Sequence, residues 1–212
     1  MDFRNLKIIE KRRILDHIIS KFDLRPLPFE GGYFIETFRS EKMVFNENYS
    51  GTMGFQEYEC LTENNQPSGN DWQNCPAGGQ SKKSPKCRSL CTGIIYLITY
   101  ERFSRLHRLP GEEIFHFYFG DSVRMLNISE SGRAEIIVLG NEFEKGEAPQ
   151  HVVGSNCWQG AFLSEEKNPV FALLGTTMSP GFDLNDYESA AGHKDILIKN
   201  YPEFSEFIKK LI

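Results

Sequence analysis

The sequence predicts an antiparallel all-β protein, a sandwich or jelly roll, with a helix at either end. Three observations predict it. From about Gly93 to Thr176, eight short aromatic or β-branched runs follow one another with only turn residues between them. No helical period separates those runs, as a parallel α/β sheet would require. Helical periodicity is confined to the two ends of the chain. At 212 residues, with 40% hydrophobic and 25% charged side chains, one domain spanning 1–212 can bury a core without cross-links.

Taken in order, Leu6, Ile9, Leu15, Ile18, Ile19 and Phe22 recur at helical spacing, which predicts an amphipathic N-terminal helix with a charged back. Lys7, Glu10, Lys11, Arg12, Arg13 and Asp16 break up any secretory apolar core, so a cytoplasmic chain with reduced cysteines is expected. In Arg25-Pro26-Leu27-Pro28 two prolines force an extended path. Glu30-Gly31-Gly32 then leads into a predicted strand, Tyr33–Arg39, whose open edge would welcome a partner chain. Across 46–86 Asn, Gln, Ser, Gly and Pro crowd together without any period, predicting a polar, cysteine-containing loop insertion that is either an inert excursion or a lid.

The eight strands are Gly93–Tyr100, Phe103–His107, Glu112–Phe119, Val123–Ile128, Ala134–Leu139, Gln150–Val153, Trp158–Leu163 and Val170–Thr176. Pro110-Gly111, Gly120-Asp121, Ser131-Gly132, Gly140-Asn141 and Lys167-Asn168-Pro169 supply turn chemistry between them. In the tail, Pro202 suits a first helical turn, and Phe204, Phe207, Ile208 and Leu211 make one face.

The formal charge of −5 argues against a nucleic-acid partner, because no broad basic surface is available to neutralise phosphates. No apolar run approaches the ~18 residues that cross a bilayer, so no membrane partner is expected.

The stretch Arg105–Gly120 carries most of the chemical information. A histidine, His107, ends one strand, and a glutamate, Glu113, opens the next after a tight turn. Alternation puts Phe115 and Phe117 on the side of Glu113, and Ile114, His116 and Tyr118 on the other. A carboxylate beside two rings is costly to desolvate, so its pKa should rise unless a cation meets it. Trp158 and Gln159 are strand neighbours and face opposite ways, so at most one of them lines the barrel. Glu36 and Arg39 fall on opposite faces by parity; Arg39 is a candidate contact for an anionic ligand, or half of a surface ion pair. His116 and Tyr118 read as an outer-face pair, and His17 and His151 as surface residues. Ser104, Ser155 and Ser179 lie in no G-x-S-x-G elbow, and neither G-x-x-x-x-G-K-[ST] nor G-x-G-x-x-G occurs.

Cys60, Cys75, Cys87 and Cys91 lie in or beside the polar loop at spacings unlike a familiar zinc knuckle. Free thiols lead there, ahead of a structural zinc and then disulfides. Cys157 reads as a small buried hydrophobe.

His107, Glu113 and Gly120 resemble the first cupin motif, G-x5-H-x-H-x3,4-E-x6-G, with Leu109 at the second histidine. Gly154–Gln159 resembles part of the second motif, with Gln159 at its histidine. A closer resemblance, to cupin family five, rests on Glu30-Gly31-Gly32-Tyr33, Glu36–Ser40, Ile94–Thr99, His107-Arg108-Leu109, Glu112–Tyr118, Gly120-Asp121, Pro149-Gln150, Trp158-Gln159-Gly160 and Ser179–Asp183. It covers about Leu24 to Asp186 apart from the loop. It implies a double-stranded β-helix, a homodimer, and a shape similar to nucleotide-sugar epimerases, without an established reaction.

Metal-dependent cupins hold a divalent ion with three imidazoles and one carboxylate. Here only His107, Glu113 and the amide of Gln159 occupy such positions, so no cofactor is expected, and a divalent metal on those three residues is the secondary reading. The leading expectation is a small-molecule-binding cupin, with metal-free isomerase- or epimerase-like chemistry on a sugar-like or polar metabolite. His107 would move the proton, Glu113 would orient it, and Phe115, Phe117, Gln159, Trp158 and Arg39 would contact the ligand. The alternatives are a metal-dependent oxygenase or isomerase, and a non-catalytic binding or scaffold protein.

Overall fold

The structure is a computed structural model that describes residues 3–45, 87–164 and 168–212. The predicted loop at 46–86, with Cys60 and Cys75, lies outside the described residues. The expected jelly roll is present. Its strands, in chain order, are β1 (Arg25–Pro26), β2 (Tyr33–Arg39), β3 (Met43–Phe45), β4 (Cys87–Ser89), β5 (Thr92–Thr99), β6 (Ser104–Arg108), β7 (Glu113–Gly120), β8 (Val123–Ile128), β9 (Ala134–Leu139), β10 (Gln150–Val153), β11 (Trp158–Leu163), β12 (Phe171–Met178) and β13 (Glu188–Ser189). Its helices are α1 (Ile8–Phe22), α2 (Lys194–Asn200) and α3 (Ser205–Leu211).

Two antiparallel sheets face each other. One has the order β1-β2-β5-β12-β7-β10, the other β13-β6-β11-β8-β9, and β3 and β4 form a separate two-stranded sheet. Strand alternation then produces three cores. Tyr96, Ile98, Phe115, Phe117, Val123, Met125, Ala161 and Leu174 point inward between the sheets. Leu106, Leu126, Trp158 and Phe162 point outward from the five-stranded sheet and meet Leu197, Ile208 and Leu211 of α2 and α3. On the far side, Leu97 and Phe171 of the six-stranded sheet meet Phe3, Ile18 and Leu24 in and around α1. The order is therefore helix, sheet, sheet, helices.

The contact face of α1 differs from the expected stripe. Ile9 is 60% exposed and Phe22 36%, whereas Lys11 is buried. The burial is possible because Asp121, in the turn between β7 and β8, meets the Lys11 ammonium at 2.5 Å, and Lys11 also lies over the Phe3 ring. Asp121 in turn accepts hydrogen bonds from the Val170 and Phe171 amides, so both charges are satisfied. At the other end, α3 carries the predicted face, preceded by a 3₁₀ turn at Pro202–Phe204, while α2 was not foreseen.

Candidate functional site

Three of the predicted residues converge at one end of the space between the sheets. His107 of β6 and Gln159 of β11 are register partners, and their strands place both side chains inward. Glu113 opens β7 on the opposite sheet, on the face that carries Phe115 and Phe117. Gln159 Nε2 donates to Glu113 Oε2 at 2.7 Å and lies 3.5 Å from His107 Nε2. His107 Nδ1 donates to the Arg105 carbonyl at 2.7 Å. That bond fixes the tautomer: the proton sits on Nδ1, and Nε2 faces Gln159 with a lone pair. It also corrects an expected role. The backbone of Arg105 orients His107, and Gln159 stands between the imidazole and Glu113.

The surroundings are closed to solvent. His107, Glu113 and Gln159 are respectively 0%, 5% and 2% exposed. Burial pushes the His107 pKa down and holds the ring neutral. Burial above all, with the nearby Glu30 charge adding to it, raises Glu113 to about 7 against opposing contributions from His107 and from hydrogen bonds of Gln159 and Thr176.

Glu30 is the residue that the sequence reading missed. Its Oε2 lies 3.9 Å from His107 Nε2, and Ser104 Oγ donates to its Oε1 at 3.4 Å. Desolvation raises its pKa to about 7 as well. The site therefore holds two carboxyl groups beside one neutral imidazole. What turns Glu30 inward is the pair that follows it. Gly31 and Gly32 have φ of +97° and +70°, and a β-carbon on Gly31 would lie 2.1 Å from the Phe103 carbonyl oxygen. An acid followed by two glycines was the available signal. Tyr96 sits beneath this turn, donating to the Gly31 carbonyl at 3.1 Å.

A strap covers the imidazole. Tyr187 stacks on His107 with ring centroids 5.1 Å apart, and its hydroxyl donates to the Phe29 carbonyl. Strand β13 follows and pairs Ser189 with His107. The strap is tied by the Arg88–Asp186 and Arg108–Glu188 ion pairs. A cleft of about 360 Å³ opens beside it, lined by Arg108, Leu109, Pro110, Glu130, Asn156, Asn185, Asp186 and Glu188.

Two predicted ligand contacts lie elsewhere. Trp158 faces outward into the helical core, beneath the Arg108 guanidinium and beside His193, as its parity with Gln159 requires. Arg39 pairs with Glu36 at 2.6 Å, both partly exposed. Their opposite-face parity fails because β2 bulges against β5 between Glu36 and Phe38. His116 and Tyr118 do stack on the outer face. His151 is not a plain surface residue: its Nε2 accepts from Asn127 Nδ2 at 3.2 Å.

Among the described residues, no three His, Cys, Asp or Glu side chains are grouped to hold a metal ion. The donor chemistry agrees. Gln159 presents its amide nitrogen, not its oxygen, to both His107 and Glu113, so the three residues do not fit a resident metal as arranged.

The profile of the family described as Cupin superfamily (DUF985) matches residues 16–190. A solved structure from Shewanella oneidensis is 24% identical, with 92% of this chain and 95% of that chain covered and a TM-score of 0.64. A hypothetical protein from Leishmania major is also 24% identical, over 92% of this chain and 97% of that one, with a TM-score of 0.67. These likenesses bear on the fold. No curated protein matches the chain.

Proposed function

The chain belongs to the cupin superfamily (DUF985), and from that premise we propose that it binds a small polar metabolite between its sheets and moves a proton on it without a metal. The observation that carries this reading is the enclosed trio of Glu30, Glu113 and a neutral His107. Each carboxyl is poised near pH 7, where it can be either acid or base. His107 Nε2 takes the proton from the ligand, and the protonated carboxyl returns one to the ligand. Burial of both carboxyls, with the Glu30 charge discouraging ionisation of Glu113, keeps an acid available beside the base. This is isomerase- or epimerase-like chemistry. The Tyr187 strap excludes water and must move for the ligand to enter.

Mass spectrometry of small molecules carried through purification tests the reading. Wild-type protein should retain a metabolite that His107→Ala protein loses with its fold intact. In D₂O the bound metabolite should gain deuterium at carbon only with His107 present. A metabolite retained equally by both proteins, with no carbon-bound deuterium, sinks the reading. We also propose a homodimer, supported by the edge strand β10 and the exposed Tyr118 and Val152 on the outer face of its sheet. Sedimentation showing a monomer at all concentrations contradicts it.

A further inference from the structure

Among the described residues, two buried acceptors inside the barrel have no donor. Gln159 Oε1 and Asn127 Oδ1 are without a hydrogen-bond partner, on residues only 2% and 7% exposed. They are also neighbours. In the five-stranded sheet His107 pairs with Gln159, Gln159 with Asn127, and Asn127 with Glu135, so one rung carries all four. Val123 and Met125 of β8 face the inner core, and Asn127 continues their alternation. Directly opposed residues stand roughly 5 Å apart at Cβ. That is a spacing at which two amide oxygens can be served by adjacent groups of one molecule.

A buried acceptor left without a donor is costly, and native proteins seldom tolerate one, let alone two side by side. The donors around them are already committed. Gln159 Nε2 faces Glu113 and His107, Asn127 Nδ2 serves His151, and Ser104 serves Glu30. His107 Nδ1 serves Arg105, and Tyr96 serves Gly31. None of these barrel-facing side chains is a lysine or arginine. An anionic group here would meet two carboxyls and two lone acceptors. A group that brings its own donors would satisfy both acceptors.

We propose that Gln159 and Asn127 form a two-acceptor clamp for adjacent hydroxyls of an uncharged polyol, extending the ligand from His107 along the rung toward His151. The inference rests on the small-molecule reading above and narrows it to a donor-rich class. Carboxylated and phosphorylated ligands are rejected. Asn127 is a binding residue in this scheme and takes no part in proton transfer.

The test uses the full chain and a panel of aldohexoses, their alditols, and the matching aldonic and uronic acids, read by ligand-observed NMR and thermal shift. At least one neutral member should bind, and its acid counterpart should bind about tenfold more weakly or not at all. Asn127→Leu should weaken the neutral ligand about tenfold, and Asn127→Asp, which keeps an acceptor, should retain more of the affinity. Without ligand, Asn127→Leu should hold or raise the unfolding midpoint, since removing a buried acceptor that lacks a donor offsets the lost bond to His151, which is only partly buried and can turn to water. A lowered midpoint with unchanged ligand affinity makes Asn127 structural and overturns the clamp. So does unchanged affinity in Asn127→Leu at any midpoint, the result expected if water alone serves the two oxygens. An acid that binds as tightly as its neutral partner, and loses binding in His107→Ala, overturns the clamp while the small-molecule reading stands. If no panel member binds, the clamp falls, and the metabolite retained through purification decides the broader reading separately.

Discussion

Replacing Glu113 with glutamine should stabilise this protein above neutral pH while leaving it nearly unchanged in acid. Glu113 ionises in the folded protein near 7, against 4.5 ordinarily, because the enclosed site disfavours its charge. Between those values the folded chain holds a proton that the unfolded chain has released. Folding stability therefore falls as pH rises through that window and levels off above it. One such carboxyl, displaced from 4.5 to about 7, is worth about 3 kcal/mol at roughly 1.4 kcal/mol per pH unit. Glutamine has the shape of the protonated acid and never ionises, so the variant escapes this loss. His107 and His151, whose pKa values are lowered by burial, act in the opposite direction below about 6.5, which is why the difference between proteins matters more than either curve. Urea unfolding of both proteins from pH 5 to 8 is the assay. The variant should lie within about 1 kcal/mol of wild type near pH 5 and exceed it by about 3 kcal/mol near pH 8. A difference that does not change with pH, or one that favours wild type in alkali, would show that burial does not raise the Glu113 pKa.

Three further outcomes follow from the same packing. Lys11→Met should cost about 3–5 kcal/mol in urea unfolding, because it strands Asp121 in a buried site, and adding Asp121→Asn should recover part of the loss; a loss below about 1 kcal/mol contradicts this. Gly31→Ala should cost about 2–3 kcal/mol, since φ is +97° and the new methyl meets the Phe103 carbonyl; an unchanged melting midpoint would rule out the described turn. Arg88→Met should loosen the strap through Asp186 and speed hydrogen exchange of the Tyr187–Ser189 amides without a matching change in the α1 amides. Equal protection in both proteins would show that the ion pair does not hold the strap.

Much of the architecture was legible because strands with one face on a core advertise their alternation. β8, β9, β10 and β11 begin and end where turn residues and alternation placed them, and Trp158 and Gln159 divide between faces as parity demands. Parity also carried information that went unused: Val123 and Met125 on the inner face imply Asn127 there too. It failed at Glu36 and Arg39, where a bulge adds a residue that no local pattern marks. Lys11 was misplaced because a charge reads as solvent-facing until its partner, 110 residues away, is known. Glu30 was missed for a related reason. Its inward direction depends on two glycines in left-handed backbone, packed against Phe103 and Tyr96, and that packing exists only in the folded chain.

The proposed chemistry depends on two enclosed carboxyls, both raised toward neutrality, beside a neutral imidazole. A ¹³C NMR titration of glutamate side-chain carboxyls, with Glu30→Gln and Glu113→Gln spectra to assign the resonances, reads this directly. Both signals should titrate near 7 in wild type, and removing Glu30 should lower the midpoint of Glu113. Both signals titrating near 4.5, with Glu113 indifferent to the loss of Glu30, would contradict it.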